Sequence, residues 1–275
     1  MTNPDDVHDL VSGHYGRSDL AAHIVAALAS AGADPGNLTV ADLAQVDQLH
    51  AGFATATRFL VDRLELSPES RLLDVGSGIG GPARLAASTG ALVSGVDPTP
   101  ELVEAATELT ERVGLAHRVT FRLADGQSLP FPDAEFEAAM MVHVGMNVPD
   151  KRAVFDEVRR VLVHGGRFGL YEQMRINDGP LPFPEPWADD ARSSFVETPE
   201  DYVRCLEAAG FTVHTIEDRT PAVIGPPPGP SELGPAVVFG AEFAERLGNN
   251  LEATKSRVLA PVVILARATE GPTGS

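Results

Sequence analysis

The chain has 275 residues, enough for one large domain or two small ones, with 43% apolar and 22% charged residues as in an ordinary globular protein. Lys and Arg total 21 against 39 Asp and Glu, a formal charge of −18, which argues against binding along nucleic-acid phosphates and against docking on an anionic membrane surface. The single cysteine, Cys205, excludes an intrachain disulfide and suits a reducing compartment.

Residues 1–16 read as a loose leader or a short lid element, and the acidic start MTNPDDVHDL lacks the basic and apolar stretches of a secretory signal. No apolar run approaches the length of a membrane span, so the expected location is cytoplasmic. Leu20, Ile24 and Leu28 recur at every fourth position and predict an amphipathic helix over 18–31, ending at Gly32. Thr39 with Asp42 is a capping-box pattern opening a helix from Val40 to about Leu49. Phe53, Ala56, Leu60 and Leu64 mark one face of a third helix.

Near Ser70 the pattern changes to short apolar runs alternating with helical segments. Strands are predicted over 71–75, 91–96, 119–123, 136–142, 167–172, 211–216 and 262–268. Helices are predicted from Pro82 to Ser88, from a Thr99 cap to Gly114, from Asp150 to Val163 before Gly165-Gly166, and from a Thr198 cap to Gly210. Such alternation implies βαβ units and a mostly parallel sheet covered on both faces. Pro261 is awkward inside a strand and is placed at the strand start or at a bulge. Proline-rich loops over 174–197 and 219–235, the second with Gly225 to Pro230, have the length of lids or binding loops. Residues 270–275 read as a frayed tail.

The strongest motif is Leu72-Leu73-Asp74-Val75-Gly76-Ser77-Gly78-Ile79-Gly80-Gly81, between a predicted strand and a predicted helix. Gly76, Gly78 and Gly81 also satisfy G-x-G-x-x-G, which raises an NAD(P)-dependent oxidoreductase as an alternative. Asp74 separates the two readings. A carboxylate beside the turn repels a pyrophosphate, whereas S-adenosylmethionine has no phosphate and carries an ammonium and a sulfonium. Asp97, 21 residues beyond Gly76 at the second strand end, suits the two ribose hydroxyls of an adenosine, or else caps the next helix. Asp125, at the third strand end, is placed to accept from an adenine amine.

D-x-G-x-G after the first strand, Asp97 after the second, Ala124-Asp125 after the third and Leu129-Pro130-Phe131-Pro132-Asp133 before the fourth resemble class I S-adenosylmethionine-dependent methyltransferases over about residues 70–215. Within them the chain is similar to the small-molecule branch that includes sarcosine and dimethylglycine methyltransferases and natural-product methyltransferases. The resemblance implies a Rossmann-like, doubly wound α/β fold with a seven-stranded sheet of order 3-2-1-4-5-7-6, strand seven antiparallel. It implies an N-terminal helical lid over 1–66 and a methyltransferase domain over 67–275 with lid insertions near 174–197 and 219–258. It implies that Asp74, Gly76 and Gly78 hold the methionine end, Asp97 the ribose, and Asp125 with Gly126 the adenine. The implied reaction is O-, N- or C-methylation of a small molecule of secondary metabolism, with S-adenosylhomocysteine as product. A family member that holds the donor and catalyses cyclisation is the alternative.

The sulfonium is an activated leaving group, so alignment and exclusion of water are the main tasks, and a base is needed only if the nucleophile loses a proton. His143, at the end of the fourth strand, is the candidate base near the donor; a structural histidine is the alternative. Glu172, expected to end the fifth strand and face the same crevice, either orients His143 or binds a cationic substrate. His50 lies in Gln48-Leu49-His50-Ala51-Gly52-Phe53, which resembles a Q-F-H-x-G-G stretch of the branch with Leu49 for the aromatic and Phe53 for the second glycine. Tyr15 is similar to an N-terminal tyrosine that closes over the donor in related enzymes. Trp187, the sole tryptophan, either lines the acceptor pocket or anchors its loop. The histidines show no metal-ligand spacing and no metal is expected. The partner expected is a small-molecule acceptor; a homodimer is compatible with the sequence.

Overall fold

The apolar runs pair into one seven-stranded sheet, seen in a computed structural model that describes residues 19–224, 233–240 and 242–269. The strands are β1 (Arg71–Val75), β2 (Leu92–Asp97), β3 (Val119–Leu123), β4 (Phe136–Val142), β5 (Leu162–Arg175), β6 (Phe211–Asp218) and β7 (Leu259–Ala268). Their order is β3-β2-β1-β4-β5-β7-β6, with β7 antiparallel to both neighbours and the other pairings parallel, as expected. The order reverses between β1 and β4, and the crevice above their carboxyl ends is where ligands of open α/β sheets gather.

Helices α1 (Leu20–Ser30), α2 (Val40–Leu43) and α3 (Phe53–Arg63) precede the sheet. Between the strands lie α4 (Gly81–Ala87), α5 (Pro100–Arg112), α6 (Lys151–Val161) and α7 (Pro199–Ala208). Short α8 (Thr220–Val223), α9 (Pro235–Phe239) and α10 (Phe243–Lys255) stand between β6 and β7. Successive strand residues point to opposite faces, which divides the core in two. Leu73 and Met141 face Phe155, Phe168 and Tyr202, whereas Leu72 and Met140 face Leu60, Leu64 and Ala83. A third cluster joins Leu20, Ile24 and Leu28 of α1 to Leu102 and Leu109 of α5 and Val237 of α9.

Several local expectations are corrected. The helix predicted over 40–49 stops at Leu43, because Asp47 and Gln48 are buried and committed to side-chain bonds elsewhere. Phe53 does not share the buried face of Leu60; it is exposed at the start of α3 with φ 48°. The Thr99 hydroxyl makes no cap bond, and Asp97 Oδ1 accepts the Thr99 N–H at 3.0 Å instead. Gly165 and Gly166 do not follow a helix end; α6 gives way directly to β5, which contains both glycines beside a register shift against β4. Pro261 is the third residue of β7 in regular register with Gln173. Its carbonyl accepts from Arg219 just past the end of β6, so its missing N–H faces the same side and breaks no ladder bond. α3 is part of the sheet's own core, so a boundary at residue 66 divides residues that pack together. Tyr15, the Gly225-to-Pro230 run and the 270–275 tail lie outside the described residues.

Candidate active site

The turn leaving β1 is tied to β2 by its backbone: the N–H groups of Gly76 and Ser77 both donate to the Val96 carbonyl, at 2.8 and 2.9 Å. Gly76 has φ 70°, and a Cβ there would run into the Val144 side chain, so only glycine fits. Gly78, at φ 51°, has no atom within 4 Å of where a Cβ would project, leaving its face open for close approach of a ligand. Gly81 packs against the neighbouring loop: a Cβ would collide with the Asp47 backbone and stand 2.7 Å from Gln48 Nε2.

Three carboxylates surround this turn. Asp97 Oδ2 accepts the Gly78 N–H at 2.9 Å while its other oxygen holds Thr99, and the residue lines the cavity. Asp125 is half-buried at the mouth of β3, its Oδ1 accepting from Gln127 N–H at 2.8 Å, and it lines the cavity beside Gly126. Asp74 lies beneath the turn, 1% exposed, and is not among the cavity-lining residues. Its Oδ2 has no hydrogen-bond partner. Burial, with repulsion from Asp97, pushes its carboxyl up to about 8.

His143 follows β4 with φ 55°, an uncommon conformation for a residue with a side chain and one that recurs at functional sites. Its N–H donates to the Tyr171 carbonyl at 2.8 Å. Its ring stands 5.3 Å from Tyr171 and 5.6 Å from His50, centroid to centroid, and its Nε2 has no partner. Burial, then the neighbouring His50, hold His143 well below the usual imidazole range. Glu172 does not face the crevice. It is fully buried inside β5, and its carboxylate accepts the N–H groups of Val144 (3.1 and 3.0 Å) and Gly145 (3.0 Å). It therefore positions the loop that carries His143. Burial outweighs these bonds and pushes its carboxyl up to about 8.

These elements enclose a cavity of about 360 Å³, within the roughly 300–1,000 Å³ of small-molecule sites. Gly76, Gly78, Asp97, Asp125 and Gly126 line one half. Leu49, His50, His143, Met146, Trp187, Phe239 and Phe243 line the other, and no lysine or arginine is among the described lining residues. Trp187 both lines the cavity and anchors its loop, donating from Nε1 to Ser194 Oγ at 2.9 Å. The buried Asp47–Arg84 ion pair, Tyr171 and the tilted ring pair of Phe239 and Phe243 were not among the expected site residues. Of these, only Asp47 stood next to a motif, immediately before the Gln48-to-Phe53 stretch around His50.

The residues fit S-adenosylmethionine. Two carboxylates, Asp97 and Asp125, line the cavity, an open glycine allows close approach, and an unpartnered buried carboxylate oxygen lies beneath the turn. A pyrophosphate on the same turn would meet Asp97 at the Gly78 amide it needs.

The fold and this turn define an open, doubly wound α/β domain with a cavity at its switch point. Residues 73–170 match the family described as "Methyltransferase domain". The chain is 30% identical to the methyltransferase GfsG of Streptomyces halstedii over 181 residues, 64% of this chain and 65% of that protein. It is 34% identical to the sterol 24-C-methyltransferase erg6 of Aspergillus fumigatus over 142 residues, 50% of this chain and 38% of that one. The chain thus spans between about a third and two thirds of the curated relatives it matches. Among solved structures, the [4+2]-cyclase SpnF superposes with TM-score 0.67 at 23% identity, covering 96% of this chain and 97% of that one. Geranyl diphosphate C-methyltransferase of Streptomyces coelicolor A3(2) does so with TM-score 0.67 at 19% identity, covering 98% and 99%. No helix among the described residues is long and apolar enough to cross a membrane.

Proposed function

We propose that this protein transfers the methyl group of S-adenosylmethionine to a small, largely apolar natural-product acceptor in the cytoplasm. The observation that carries the reading is Asp97, which grips the Gly78 amide and faces the cavity above the buried carboxyl of Asp74. This is a seat for a cationic nucleoside and a poor one for a diphosphate. When bound, the donor supplies an electrophilic methyl group whose bond to sulfur breaks with its electrons left on sulfur.

The chain's own residues do the rest. Asp97 accepts from the ribose hydroxyls, and Asp125 with Gly126 receives the adenine. Gly76 and Gly78 let the methionine end approach the backbone, and Asp74 places a buried, protonated carboxyl beneath the turn. His143 Nε2 takes the proton of an O, N or C nucleophile. Glu172 keeps His143 in place through the Val144 and Gly145 amides. Leu49, Met146, Trp187, Phe239 and Phe243 exclude water and bury the acceptor, and a wall with no cationic side chain among the described residues favours a neutral molecule over an anion.

Calorimetry with S-adenosylmethionine and S-adenosylhomocysteine tests this, with binding expected in the micromolar range. No heat at high micromolar donor, or tight binding of a nicotinamide dinucleotide in its place, would overturn it. Release of S-adenosylhomocysteine during turnover of an apolar hydroxylated acceptor separates methyl transfer from a cyclase that keeps its donor intact.

A further inference from the structure

Asp47, Gln48, Thr57 and Arg84 are all buried, and none of them has a part in the methyl transfer proposed for the cavity. Arg84 is held by the carbonyls of Ile79 (2.6 Å) and Ala106 (3.2 Å), by Thr110 Oγ1 (2.9 Å) and by Asp47 Oδ2 (2.9 Å). The guanidinium only donates, so Asp47 meets it as an acceptor. From there the direction of every bond follows. Gln48 Nε2 donates to Asp47 Oδ1 at 2.9 Å, since the reversed amide would set two acceptor oxygens against each other. Gln48 Oε1 is thereby turned to Thr57, whose hydroxyl donates to it at 2.6 Å. A hydroxyl has one proton. The 2.8 Å contact between Thr57 Oγ1 and His50 Nε2 is therefore donated by the ring.

We propose that Arg84, Asp47, Gln48 and Thr57 form a one-way hydrogen-bond chain that places the proton of neutral His50 on Nε2, and that they are positioning residues for the histidine pair at the acceptor wall. His50 Nδ1 keeps its lone pair, 3.2 Å from the Ala51 carbonyl, a contact that becomes a hydrogen bond only if the ring gains a second proton. The titratable rings facing His50 are His143 and Tyr171, at 5.6 and 5.8 Å. Burial pushes His50 down to about 4, so the neutral form persists at pH 7. His50 Nε2 is thus engaged by Thr57 and Gln48, whereas His143 Nε2 has no partner among the described residues. The chain sorts the two histidines: one is braced, the other is left to take a proton. That division of labour rests on the methyl-transfer reading, but the tautomer of His50 does not.

Nitrogen-15 NMR of the histidine-labelled full chain at pH 7, with His50 assigned by the loss of its signals in His50→Gln, reads the tautomer directly. The expected result is a protonated Nε2 and a bare Nδ1. His50 Nε2 also stands 3.4 Å from Gln48 Oε1, so Thr57→Val combined with Gln48→Leu removes both acceptors, and in that protein the proton should move to Nδ1, towards the Ala51 carbonyl. Thr57→Ser should keep it on Nε2. In turnover, Thr57→Val should lower kcat roughly tenfold or more, within the about 10²-fold that slight misplacement of a catalytic group can cost. Affinity for S-adenosylhomocysteine should stay within about twofold, and Thr57→Ser should restore kcat. A parent protein with the proton on Nδ1 overturns the proposal, as does a protein carrying both Thr57→Val and Gln48→Leu that keeps it on Nε2. If that protein does not fold, the parent spectrum alone decides. A parent that binds no S-adenosylhomocysteine defeats the methyl-transfer reading, while its spectrum still decides whether the hydrogen-bond chain sets the tautomer.

Discussion

Around the glycine turn, the chain is held through backbone N–H groups: those of Gly76 and Ser77 donate to the Val96 carbonyl, and those of Gly78 and Thr99 to the Asp97 carboxylate. Across the cavity, His50 is held by side chains from three elements, and Trp187, Phe239 and Phe243 are held by packing and by one bond to Ser194. A backbone-held site depends on a few residue types at fixed chain positions. A side-chain-held wall can be rebuilt from many residues without moving the sheet. The glycine-turn side is therefore fixed by the fold, and the facing wall is the side that substitutions can reshape.

Separate functions for the two halves can be broken at the largest expected effect first. His143→Ala should lower kcat by about 10²–10⁴-fold, the usual contribution of a positioned base. Its affinity for S-adenosylhomocysteine should stay within a few-fold. A collapse of product affinity in the same variant would show that the halves are not separable. Asp97→Ala sharpens the comparison from the other side. It strips a charged acceptor from two backbone N–H groups, each such bond contributing about 1.5–3 kcal/mol. Calorimetry should show donor affinity reduced roughly 10–100-fold, with the rate at saturating donor far less affected.

The smallest effect is on stability against pH. Burial holds Asp74 and Glu172 each near 8, against ordinary values of 3.8 and 4.5. Each keeps a proton in the folded protein that the unfolded chain has already released. Stability from this source is complete below about pH 4 and is lost as pH rises through about 8. Asp74→Asn removes one of the two contributions, so the fall in Tm between about pH 5 and pH 9 should become shallower in scanning calorimetry. An unchanged slope would mean that Asp74 is ionised in the folded, donor-free protein.

The donor half was legible because its chemistry is local. Asp74, Gly76 and Gly78 fall within five residues, Asp97 ends β2, and Asp125 lies two residues beyond the end of β3. The sheet order came with the resemblance that these motifs carry. The acceptor half was not legible, because its bonds join distant positions: Arg84 meets Asp47 across 37 residues. The same bonds explain why the capping box at Thr39 opened a helix of only four residues, since the chain had to leave the helix to bury Asp47 and Gln48. Glu172 was read as facing the crevice from its place near a strand end. β5 instead runs three residues further, to Arg175, and turns that carboxylate onto the amides beside His143. No pattern in the sequence marks Phe239 and Phe243 as cavity residues, since neither sits in a motif.

Val144 fills the space that a side chain on Gly76 would need, and Glu172 holds the Val144 amide from behind. The loop after β4 and the turn after β1 are thus one mechanical unit that fixes how far His143 stands from the glycine turn. Redesign for a new acceptor has a natural seam outside that unit, at Trp187, Phe239 and Phe243, where pocket shape can be altered with reactive geometry untouched. Enlarging Gly76 or reshaping Val144 would instead retune the reaction itself, however small the change in volume.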